Sequence, residues 1–198
     1  MKRIVCILLL IFLSCNQQQS EGLIIDKNIQ QEVENRTKNS EFSQEGDAIF
    51  LYETEVHIEF FEDGKQEYKS PEKSKAMFRS FYYMKDDTMC IDGAYGMFDG
   101  FGFSIKIKDQ KATVYALVIG EVANYALTEN GERKQRLEVP CATSELTLSE
   151  YPEIKEDGLL YGYIAFESQD FYSGLEGNKP TKNRLKMKVY FKSNYIGL

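Results

Sequence analysis

Four groups of residues in this chain have types and spacings that could do chemistry. His57 is the one histidine present, and it stands among Glu53, Glu55 and Glu59; an imidazole beside a serine can act as a general base. A single histidine excludes every site that needs two. Asp86, Asp87, Asp92 and Asp99 fall close together, and oxygen-rich loops of that kind can hold calcium. Their spacing misses the EF-hand pattern, and Asp92-Gly93 and Asp99-Gly100 serve equally well as plain turns, so no metal is assigned. Arg184, Lys186, Lys188 and Lys192 alternate with Leu185, Met187, Val189 and Phe191, which sets a basic stripe on one side of a strand and an apolar stripe on the other. Such a stripe suits an anionic surface or partner, whether lipid headgroups, acidic glycan or acidic protein. The same lysines can instead guard a sheet edge or solvate an exposed face. Finally, Cys90 and Cys141 form an even pair, read either as a bridge or as two separately buried thiols.

The catalytic signatures are missing. The chain has no G-x-S-x-G elbow, no H-E-x-x-H, no C-x-x-C and no P-loop, and no cofactor is implied. A glycosidase needs only two carboxyl groups, but among 31 acidic residues no pair is singled out. Gly93 to Phe103 and Gln169 to Gly174 combine glycines with aromatics. Either could be a recognition loop, or its aromatics could fold back on the core.

The elements that must position these residues are strands. From Ile49 to Phe60, Tyr52, Thr54, Val56, Ile58 and Phe60 share one face, and Glu53, Glu55, His57 and Glu59 share the other, which places His57 on the wet side. Glu62-Asp63-Gly64-Lys65 reads as a hairpin turn, and Asn130-Gly131 reads as another between Val122–Thr128 and Lys134–Val139. Further strands are expected at Met89–Asp92, Phe101–Lys108, Lys111–Ile119, Glu145–Leu148, Gly158–Glu167 and Leu185–Lys192. Ser70–Met84 mixes a helix-start signal at Ser70-Pro71-Glu72 with strand-forming Phe81, Tyr82 and Tyr83, and is read as strand. The fold class is all-β: an antiparallel β-sandwich of about nine or ten strands, with a β-barrel as runner-up. It occupies 47–198 as one domain.

The N-terminus is different in kind. Lys2 and Arg3 precede an apolar run from Ile4 to Leu13, then Ser14-Cys15. Ten apolar residues at about 1.5 Å each cover only about half of the roughly 30 Å hydrocarbon core, so 1–14 reads as a cleaved export signal. Phe12-Leu13-Ser14-Cys15 resembles the lipobox of bacterial lipoproteins, in which the cysteine is acylated and becomes the new N-terminus. That resemblance implies lipidation of Cys15. Asn16, in place of the aspartate that retains many lipoproteins at the inner membrane, implies residence at the outer membrane. Residues 15–46 are polar and read as lipid-attachment site and tether, with a short amphipathic helix near Asp26 to Lys38 marked by Ile25, Ile29 and Val33.

The 24 basic and 31 acidic residues give a net charge of −7. Without Lys2 and Arg3 the balance is 22 − 31 = −9, which argues against general nucleic-acid binding. The sequence therefore leads to a lipid-anchored, noncatalytic binding or protein-interaction module of the bacterial envelope, whose partner is an envelope protein or glycan. Alternatives are an envelope hydrolase using surface carboxylates and a protective or assembly lipoprotein that binds a protein partner.

Overall fold

The computed structural model describes residues 23–39, 51–96, 99–155, 158–174 and 179–197; the signal, Cys15 and the start of the tether lie outside them. In chain order the elements are β1 (Ile24–Ile25), α1 (Ile29–Arg36), β2 (Thr37–Asn39), β3 (Leu51–Glu62), β4 (Lys65–Lys69), β5 (Lys75–Lys85), β6 (Thr88–Tyr95), β7 (Gly100–Lys108), β8 (Lys111–Ile119), β9 (Tyr125–Ala126), β10 (Arg136–Leu148), β11 (Leu159–Ser168), β12 (Phe171–Ser173) and β13 (Thr181–Tyr195). The protein is all-β, and its strands form one predominantly antiparallel sheet.

Alternation builds the sheet. On β13, Leu185, Met187, Val189 and Phe191 are fully buried, as the apolar stripe requires. Asp63 and Gly64 both have positive φ (47° and 79°), the pairing that matches a two-residue hairpin to strand twist. Pairing runs β3-β5-β6-β7-β8-β10-β11-β13 and returns to β3, so the sheet curls round a single core. Sandwich and barrel, the two architectures left open by the sequence, meet here. Inner faces pack across one core, while hydrogen bonding continues around it. Phe103 and Phe191, on strands half a turn apart, have ring centroids 4.8 Å apart, and Phe60 stacks on Phe101 at 5.2 Å. Gly162 has no side chain because a Cβ there would lie 2.4 Å from the Phe191 ring.

Closure is irregular. β13 pairs with β3 only from Asn183↔Glu62 to Val189↔Val56; its last residues then meet β5 in parallel, at Asn194↔Phe81 and Tyr195↔Tyr82. Side chains hold the gap. The Thr54 hydroxyl donates to the Tyr190 carbonyl at 2.6 Å, and the Lys192 backbone N–H donates to the Tyr52 hydroxyl at 3.0 Å. The vacated edge of β3 is taken by β2, which pairs Thr37–Asn39 with Thr54–Tyr52. Residues 24–39, expected within the tether, are thus docked on the sheet. β1 pairs with the end of β10, α1 buries Ile29 and Val33, and Arg36 lies over the Tyr190 ring while pairing with Glu55 at 2.8 Å.

Two strand expectations need correction. Val122–Thr128 contracts to β9, because side chains and turns hold that segment: Asp99 Oδ1 accepts from Glu121 N–H, and Gln135 donates to the Glu121 carbonyl. The strands expected at Lys134–Val139 and Glu145–Leu148 are one strand, β10, which begins at Arg136 and is interrupted by a bulge between Cys141 and Thr143.

Candidate functional site

β13 carries the basic stripe, and its outward face lies between β3 and β11. The register sets Lys188 between His57 and Ala165, and Lys186 between Glu59 and Glu167. Four depressions follow this face. The first, about 180 Å³, lies between Tyr163, Tyr190, His57 and Lys188. The next, about 480 Å³, shares His57 and Lys188 and extends to Glu59, Glu145 and Glu167. A third, about 460 Å³, takes up Glu167 and Lys186 and reaches Asp63, Asp170 and Arg184. The last, about 470 Å³, shares Asp170 and Arg184 and ends at Leu127 and Tyr172. Because neighbours share residues, the four make one groove. Ala165 opens it, being a short side chain between long ones.

The stripe does not survive as four free cations. Arg184 pairs with Asp170 at 2.7 Å and Glu167 at 3.1 Å, and Lys186 with Glu167 at 3.0 Å. Lys182 joins Asp170 at 2.7 Å. Burial opposes ionisation of Asp170, yet hydrogen bonds from Lys182 and Arg184 hold its carboxyl below the usual range. Lys188 is exposed and forms no ion pair among the described residues. Lys192 leaves the stripe: residues 191–193 are consecutively buried where β13 departs from β3, and Lys192, 8% exposed, lies against the Tyr52 ring and bonds to Asn39. Burial lowers its pKa. The groove is therefore of mixed sign, with Lys188 the freest cation of the stripe.

His57 faces outward as its parity requires, and the fold brings Ser70 to it across the β3–β4 hairpin. Its Nδ1 is 3.4 Å from Ser70 Oγ and its Nε2 is 3.2 Å from Glu59 Oε1. The order serine, histidine, carboxylate is that of a catalytic triad. Chemistry at Ser70 is blocked, however, because this serine is 3% exposed and its oxygen already accepts the Ile58 N–H at 3.0 Å. Glu59 is held well ionised, first by Lys69 and then by His57. That is the wrong state for a general acid. Ser70 escaped the sequence reading because a register shift between Phe60 and Phe61 hides its alignment with β3.

The other sequence candidates do not converge on this groove. Asp86 and Asp87 form the β5–β6 turn with φ of 46° and 58°, Asp99 caps Glu121, and Asp92 pairs with Arg136 at 2.8 Å on the outer face of β6. Among the described residues no group of three or more histidine, cysteine, aspartate or glutamate side chains gathers for a metal. Of the aromatic segments, Phe103 and Phe171 are fully buried and Phe101 packs on the core, so those rings fold back, whereas Tyr95 of the first segment is exposed. Cys90 and Cys141 are free thiols, which corrects the bridged reading. Cys90 pairs with Lys106 and Lys106 with Thr113, while Pro140 pairs with Tyr115, so β7 and β8 stand between the cysteines. Three strand spacings are about 14 Å, and a disulfide needs Cα atoms within about 7 Å. Burial pushes the Cys141 thiol up to about 12.

Comparison with protein-family models, curated proteins and solved structures found no match.

Proposed function

We propose that the protein is a noncatalytic binding module, anchored through acylated Cys15 in the bacterial envelope at the outer membrane, and that the β13 groove receives its partner. One observation carries the reading. The core is filled by packed aliphatic and aromatic side chains, whereas the outer face of β3, β13 and β11 carries a continuous groove set with both signs of charge. Mixed, paired charges favour a partner with its own complementary pattern over a uniformly anionic surface, because Lys182, Arg184 and Lys186 along the groove already have carboxylates. An envelope protein, as in a protective or assembly role, fits this better than anionic lipid. A hydrolase reading finds three carboxylates, Glu59, Glu145 and Glu167, along one depression, but the ionised state of Glu59 removes it as the proton donor.

The test has two arms. Cys15→Ser should abolish labelled fatty-acid uptake and release the protein from membranes with the sheet still folded. In the acylated protein, Lys186→Glu with Lys188→Glu should cut partner capture at low ionic strength at least tenfold, and wild-type capture should weaken as salt rises. Capture unaffected by the double substitution would refute the groove. Wild-type protein without fatty acid would refute the anchor.

A further inference from the structure

At one end of the curled sheet β5 turns into β6, β7 into β8, and β10 into β11, and β13 finishes there beside β5. β1 lies at the same end, with Ile24↔Thr147 and Ile25↔Leu148 and the Asp26 N–H donating to the Leu148 carbonyl at 2.9 Å. Ser149 follows at that point, and β11 begins at the same end with Leu159. Ile24 (51% exposed), Ile25, Tyr151, Ile154 (57% exposed) and Leu159 all stand open to solvent on this rim. Five large apolar side chains gathered on one rim need a partner more than the same number scattered singly.

The chain path names that partner. Leu23 is eight residues after Cys15, and eight residues span at most about 27 Å when fully extended. An acyl group on Cys15 thus keeps this rim close to the bilayer. Charge does not draw the rim there, since Lys85, Lys108, Lys111 and Lys155 are offset by Asp86, Asp87, Asp109, Glu150 and Glu153. Apolar burial is the driving force, with Tyr151 suited to the boundary through its apolar ring and polar tip.

We infer that this rim docks on the membrane, with Ile24, Ile25, Tyr151, Ile154 and Leu159 seated at the boundary between headgroups and acyl chains. The inference rests on the lipoprotein reading and adds an orientation to it. The Asp63-Gly64 hairpin and the Arg184 end of the groove then face away from the bilayer, open to a partner.

The chain contains no tryptophan, so a single introduced one reports its own surroundings. Acylated Tyr151→Trp and Val122→Trp proteins, the second at the opposite end, are placed in zwitterionic phosphatidylcholine vesicles containing nitroxide-labelled lipid. Trp emission in Tyr151→Trp should shift to the blue and be quenched at least threefold more than in Val122→Trp. Adding Ile24→Glu and Ile154→Glu should remove that difference without releasing the protein from the vesicles. Equal quenching of the two acylated proteins overturns the docking and leaves the anchor standing. Protein shown by mass to carry no fatty acid overturns both.

Discussion

Two outer faces of the same sheet are built from the same alternation and end up unlike. On the face of β6, β7 and β8, the outward residues Cys90, Asp92, Ala94, Ser104 and Leu117 are buried. Long neighbours roof them over. Arg136 and Tyr83 reach Asp92 at 2.8 and 3.3 Å, and Lys106 spans the Tyr115 ring at 4.7 Å to pair with Glu138 at 2.5 Å. On the face of β3, β13 and β11 the long side chains of β13 pair with carboxylates of the adjoining β11 and of Asp170 just beyond it, and leave a groove between them. An outward position is therefore not the same as an available one. Short side chains beside long, inward-leaning neighbours close a face, and ion pairs between adjoining strands leave it open.

Thiol chemistry gives the largest contrast, because it is all or none. Intact mass of unreduced protein, alkylated after unfolding, should show both Cys90 and Cys141 modified. In the folded protein Cys90 should resist alkylation, since burial and then the nearby Asp92 charge raise its pKa. One bridge in place of two free thiols would break the assignment of Cys90 to the closed face.

Arginine truncation separates the faces energetically. Arg136→Ala strips the cation from a carboxylate whose side chain is 6% exposed, leaving it the Tyr83 hydroxyl, and whose Oδ1 has no hydrogen-bond partner among the described residues, and should cost about 3 kcal/mol, the low end for a broken buried pair because Arg136 itself is half exposed. Arg184→Ala breaks pairs that are open to water and should cost no more than about 1 kcal/mol. Urea midpoints at unchanged slope measure both. Equal losses would mean the two faces are energetically alike.

A smaller effect sharpens the groove's electrostatics. Lys69 and His57 lower the pKa of Glu59 in the folded state, so the stabilisation is complete above the unfolded carboxylate value of about 4.3 and is lost as pH falls through the lower folded value. Glu59→Gln should flatten the acid limb of the stability curve below about pH 4 and leave the slope between pH 6 and 8 unchanged. An identical acid limb would show that the pair contributes nothing.

Local pattern made much of this legible. Lys111–Ile119 is a strand over those same residues, and the Asp63-Gly64 turn and the helix containing Ile29 and Val33 follow from residue type and spacing. Non-local pairing was not legible. Nothing near Val189 announces that β13 will leave β3, so Lys192 keeps its place in the alternation and yet is covered by Asn39, which lies 153 residues earlier in the chain. The groove was half visible: parity gave Arg184, Lys186 and Lys188 a common face, but their pairing with Glu167 and Asp170 depends on which strand comes to lie alongside.

Site-specific photocrosslinking in the native envelope asks whether the groove holds a partner. A photoreactive residue replacing exposed Lys188 in the groove is compared with one replacing Lys106 on the closed face. A discrete crosslinked protein is expected at Lys188 that disappears with Lys186→Glu and weakens with added salt, and none at Lys106. The same pattern at both positions, or a Lys188 product indifferent to Lys186→Glu, would contradict it.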